Sequence, residues 1–78
     1  MYREQIDARN IELHDLAIRL KDLLATKLGE DVEITISIAT LENAKKIKTF
    51  FSMSGCQSVV NKKDEYYIIE VTGNPCCV

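Results

Sequence analysis

The stretch VEITISI, Val32–Ile38, sets Val32, Ile34, Ile36 and Ile38 on one side of an extended chain and Glu33, Thr35 and Ser37 on the other. Strict alternation of this kind marks a strand with one packed face and one wet face. A sheet covered by helices on both sides would have strands that are apolar throughout. Any helices in this chain must therefore gather on a single face of the sheet.

Helical spacing appears on both sides of that strand. Leu13, Leu16, Ala17, Leu20, Leu23, Leu24 and Leu28 recur at the helical period, and Gly29 stands where such a helix would stop. Asp15 and Arg19, four apart, add a favourable pair on its polar side. Thr40 is placed to cap a second helix, with Leu41, Ala44, Ile47 and Phe51 as its buried stripe, Phe50 beside that stripe, and Gly55 as its end. Ahead of the first helix, Tyr2, Glu4, Ile6 and Ala8 alternate with Arg3, Gln5, Asp7 and Arg9, which predicts a short strand. QSVV and YYIIEV flank the polar NKKDE and predict a hairpin with a loop of about five residues, Tyr66 and Tyr67 packing on opposite faces. The order is β-α-β-α-β-β. It predicts an α/β two-layer sandwich, a four-stranded mixed sheet with two helices on one face.

At 78 residues the core only just offsets the conformational entropy of folding. Residues 1–72 are expected to form one domain, and residues 73–78, with Pro75, Cys76 and Cys77, a flexible tail. The composition, 46% hydrophobic and 28% charged, is that of a globular chain rather than a disordered one. A net charge of -2 gives no reason to expect a nucleic-acid binder. MYREQIDARN is charged from its third residue and leads into no apolar h-region, and no apolar run reaches the length of a membrane span. A cytoplasmic location without membrane association is the expectation. Three cysteines, two of them adjacent near the end, read as reduced or reactive thiols rather than a disulfide scaffold. Pro75 occupies the position where a prenylation box would need Cys.

DARNIELHDLAIRLK, followed later by IKTFFSMSGCQSVVNKKDEYYIIEV, resembles the TusA family of small sulfur carriers, also called SirA-like. That family opens with Asp-x-Arg-Gly-Leu-x-Cys-Pro-x-Pro and reaches a Lys in the helix that follows. Asp7, Arg9 and Lys21 match the pattern, with Asn10 for Gly, Ile11 for Leu, Leu13 for Cys, His14 for Pro and Leu16 for the second Pro. The similarity runs over about residues 5 to 71, with Ile47, Gly55 and the hairpin in register. It implies the sandwich fold and a place in cytoplasmic sulfur relay. The family's Cys sits at a helix entrance, where free N–H groups and the macrodipole stabilise a thiolate or persulfide. Leu13 cannot carry sulfur, and Glu12 and Asp15 surround it with charge that repels an anionic intermediate.

The candidate chemistry therefore moves to the tail. Cys76 and Cys77 are the candidate catalytic thiols, able to accept sulfur or exchange thiols with a partner such as a cysteine desulfurase or a sulfur acceptor. The last strand should run antiparallel to the first, so the tail would emerge far from Leu13 and make a new site at the other end of the sheet. Cys56 reads as a buried, inert thiol, and His14 as a surface residue at a helix start. Lys45, Lys46 and Lys48, together with Lys62 and Lys63, offer a positive patch for an acidic protein partner. No metal site or cofactor is implied. A second function class is a non-catalytic interaction module that kept the fold and docks through its helices or its open sheet face.

Overall fold

The computed structural model describes residues 1–76. Its elements are β1 (Tyr2–Asp7), α1 (Leu13–Ala25), β2 (Val32–Ile38), α2 (Leu41–Met53), β3 (Cys56–Lys62) and β4 (Tyr67–Gly73). The strands form one four-stranded sheet in the order β1-β2-β4-β3. β1 and β2 are parallel, while β4 lies antiparallel to both β2 and β3. The chain is thus a two-layer α/β sandwich with a mixed sheet, and the last strand is inserted between β2 and β3.

Alternation along β2 does what its sequence predicts: Val32, Ile34, Ile36 and Ile38 are buried while Glu33 is exposed and Thr35 and Ser37 are half-buried. Leu16, Leu20 and Leu24 of α1 and Ala44, Ile47 and Phe51 of α2 join the inward residues of the sheet in a single cluster. Because both helices feed one cluster, they cover the same face. Phe50 and Phe51 meet edge to face with ring centroids 5.3 Å apart, which extends the packing to the flank of α2.

Two boundaries and one buried position differ from the sequence reading. α1 ends at Ala25, not at Gly29: the Thr26 N–H donates to the Asp22 and Leu23 carbonyls, and its hydroxyl donates to Leu23 O at 2.7 Å. Capping by Thr26 satisfies the last carbonyls a turn early, and Leu28 lies outside the helix, 53% exposed. Leu41 at the start of α2 is also exposed, because the buried stripe begins a turn later at Ala44. The hairpin turn is shorter than expected, closing through Lys63 N–H to Tyr66 O at 2.8 Å, because pairing continues to Lys62 opposite Tyr67. The Thr40 cap is as predicted, its hydroxyl accepting from Asn43 N–H at 3.3 Å.

Opposite the helices the sheet is bare. Its cross-strand rows read Arg3, Glu33, Thr72, Gln57, then Gln5, Thr35, Glu70, Val59, then Asp7, Ser37, Ile68, Asn61. Polar side chains dominate each row, as a wet face requires.

Candidate functional site

The fold has two poles. At one, β1 and β2 end and both helices begin; at the other, both helices end and β4 delivers the C-terminal segment.

At the first pole Asp7 leaves β1 and folds back on Arg9. The Asp7 carboxylate accepts from the Arg9 backbone N–H at 3.2 Å, from Nε at 2.9 Å and from Nη2 at 2.9 Å. The fork of the guanidinium matches the two carboxylate oxygens, and it pulls the Asp7 carboxyl down to about 2. Arg9 also stands over the Tyr66 ring, 4.9 Å from its centroid, which ties the β1 exit to the hairpin turn. Asn10, Ala39, Asp64 and Glu65 complete an open cleft of about 470 Å³ with Arg9 and Tyr66.

The entrance of α1 opens beside this pair, and it holds no nucleophile. Glu12 is the cap residue in extended conformation, without a side-chain cap hydrogen bond, and its carbonyl accepts from Leu16 N–H at 2.9 Å. Leu13 is half-buried against the core, so the position where the sequence resemblance would put a sulfur-carrying Cys is used for packing. His14 and Asp15 face solvent. Asp7 and Arg9 of the family-like motif have a structural part here: they fix the turn between β1 and α1.

At the second pole the C-terminal segment is docked as far as it is described. β4 runs to Gly73, Pro75 is fully buried, Gly29 N–H donates to Pro75 O at 3.1 Å, and Cys76 N–H donates to Ser54 O at 3.0 Å. Residues 73–76 are therefore held in place, where the sequence reading expected a flexible tail. The reason is long-range: Pro75 fills the gap between the early end of α1 and the end of α2, and neither end is visible from the tail's own residues. Cys77 lies outside the described residues.

Docking brings Cys76 against Gly55, the residue just before Cys56. Gly55 has φ +84°, and its missing Cβ leaves the space that Cys76 Sγ fills. Cys76 is exposed as a residue, whereas Cys56 is buried at the start of β3. Burial pushes the Cys56 thiol up, and negative charge on Cys76 would push it in the same direction. Cys56 is thus a poor thiolate, and Cys76 is the thiol with access to a partner. Neither helix aids an anion here, because both present their carbonyl ends to this pole.

Sequence reasoning treated Cys56 and Cys76 separately and missed their approach. Counting outward from the hairpin turn would have found it: Lys62 opposite Tyr67 leads to Cys56 opposite Gly73, three residues before Cys76. The separation of Cys76 from Leu13 at opposite poles agrees with the expected strand directions.

Lys45, Lys46 and Lys48 are all exposed on α2, and Lys46 pairs with Glu42 at 3.6 Å, so part of the expected patch is already neutralised. Among the described residues no group of three or more His, Cys, Asp or Glu side chains is gathered for a metal ion. No helix among them is long and apolar enough to cross a membrane. Comparison with protein-family models, curated proteins and solved structures finds no match to this chain.

Proposed function

We propose that the protein presents a thiol for sulfur transfer, with Cys76 on its docked C-terminal segment as the acceptor and Cys77 as a second candidate. The observation that carries this reading is the exposure of Cys76 on a backbone anchored by the burial of Pro75 and the hydrogen bond to Ser54. An anchored, exposed thiol approaches a partner's active site with little ordering cost. Resemblance to the TusA family supplies the chemistry and the partner class, a cysteine desulfurase or a later sulfur acceptor. In the step itself the Cys76 thiolate attacks the outer sulfur of a donor persulfide. The donor S–S bond breaks as a new one forms at Cys76, and the donor departs as thiolate with no net oxidation.

Intact-protein mass spectrometry after incubation with a cysteine desulfurase and cysteine tests the reading. A gain of one sulfur that Cys76→Ser or Cys77→Ser removes, and that Cys56→Ser leaves in place, supports it. No gain on the wild type rejects this route.

A second reading is favoured by the carbonyl-rich surroundings of Cys76, which oppose an anionic sulfur. On that reading the chain is a binding module of sulfur or thiol metabolism that lost the transfer site, and Lys45 and Lys48 contact an acidic partner. It requires partner binding to survive serine at both positions 76 and 77.

A further inference from the structure

β3 is an outer strand of the sheet, and no described strand pairs with its free edge. Exposed edges are ordinarily blunted by charge, by proline or by a bulge. β3 has none of these along most of its length: its seven residues, CQSVVNK, pair with β4 without interruption, and its one charge, Lys62, stands at the very end. At its midpoint Val59 is 57% exposed, with the half-buried Ser58 and Val60 on either side. The opposite edge, β1, carries Arg3, Glu4 and Asp7 and is guarded by comparison.

We propose that two copies of this chain pair antiparallel along their β3 edges, on a twofold axis through Val59, to form one continuous sheet. The strand is complementary to itself in this register. Val59 meets Val59 on the bare face, Gln57 meets Asn61 beside it, and Ser58 meets Val60 on the helix side. A register centred one residue away pairs fewer residues of the strand. The two Lys62 side chains fall at opposite ends, about 20 Å apart at the usual rise per residue, so they do not repel at physiological salt. Each free backbone group of the edge gains a partner, and the exposed valine is covered.

The same register sets Lys62 of one copy opposite Cys56 of the other, at the pole where Cys76 lies. A cation of the second copy then reaches the pole that carries the thiols. The pairing does not depend on sulfur transfer; only this part for Lys62 rests on the function proposed above.

Sedimentation equilibrium of the full chain under reducing conditions, from micromolar to millimolar concentration, tests the pairing. The wild type should approach twice the chain mass of 8.9 kDa, Val59→Lys should remain at 8.9 kDa, and Gln5→Lys on the other edge should behave as wild type. Val59 is exposed, so its substitution leaves the fold intact, and circular dichroism checks this. A wild type that stays at 8.9 kDa throughout, or a Val59→Lys protein that still doubles, overturns the pairing. If the dimer forms and Lys62→Gln takes up sulfur at the wild-type rate, the part assigned to Lys62 is wrong while the pairing stands. Failure of the wild type to take up any sulfur rejects the proposed function and leaves the sedimentation result unaffected.

Discussion

Cys76 Sγ lies 2.6 Å from the point where a residue at position 55 would place its Cβ, so Gly55 and Cys76 share one small volume at the end of α2. The tail thiol is seated where it is because position 55 has no side chain. Gly55 also needs its positive φ to turn α2 into β3.

Gly55→Ala should therefore cost stability in two ways. The left-handed backbone costs an L-residue roughly 1–2 kcal/mol, and the new methyl group expels Cys76 from its seat. Urea denaturation of Gly55→Ala, Cys76→Ala and the double variant separates these effects. The double variant should be less destabilised than the two single changes added together, since the methyl group no longer meets sulfur. Simple additivity would mean that the two residues do not compete for space.

Pro75→Ala removes two buried methylenes and restores freedom to the unfolded chain, a loss of roughly 1–2 kcal/mol. The local sign is at Gly29, whose N–H donates to Pro75 O. Hydrogen exchange at the Gly29 amide should accelerate well before that of Ile36 in the buried strand β2, because the tail opens without the sheet. Unchanged exchange at Gly29 would show that Pro75 does not hold the tail.

Acid should expose the part played by Asp7 and Arg9. The Asp7 carboxyl sits at about 2 in the folded chain against an ordinary 3.8, held down chiefly by its hydrogen bonds from Arg9. A carboxyl lowered on folding stabilises the fold above its unfolded value, and that contribution is lost as the pH falls through about 2. Unfolding measured from neutral pH into acid should show less loss in this window for Asp7→Asn than for the wild type. In Arg9→Gln, the NMR titration midpoint of Asp7 should move upward. An unmoved midpoint would mean that the pair is broken in solution.

Leu13→Cys would place at the α1 entrance the residue type expected there from the resemblance to the TusA family, but it should not create a sulfur carrier. Leu13 is half-buried against the core, so its truncation costs about 1 kcal/mol. Glu12 and Asp15 also set negative charge beside the new thiol. With Cys56, Cys76 and Cys77 replaced by serine, incubation with desulfurase and cysteine should add no sulfur at position 13. A clear gain there would show that the entrance lacks only a nucleophile.

The local alternation of β2 and the helical spacing of Leu16, Leu20 and Leu24 were legible because each element is amphipathic over its own length. The Thr40 cap was legible for the same reason, as it needs only Asn43, three residues away. Boundaries were less so. α1 stops at Ala25 because Thr26 competes for its last carbonyls, and the glycine expected to end it instead donates its N–H to the tail.

By itself, the sequence determined the elements, their order and the single packed face of the sheet, since these follow from side-chain periodicity over a few residues. It also determined that no thiol stands at the α1 entrance. Only the tertiary structure decided that Pro75 is buried, that residues 73–76 are docked, and that Cys76 seats against Gly55. The physical reason is that burial and contact at that pole come from strand register and from two helix ends distant in sequence, and no local pattern in the tail encodes them.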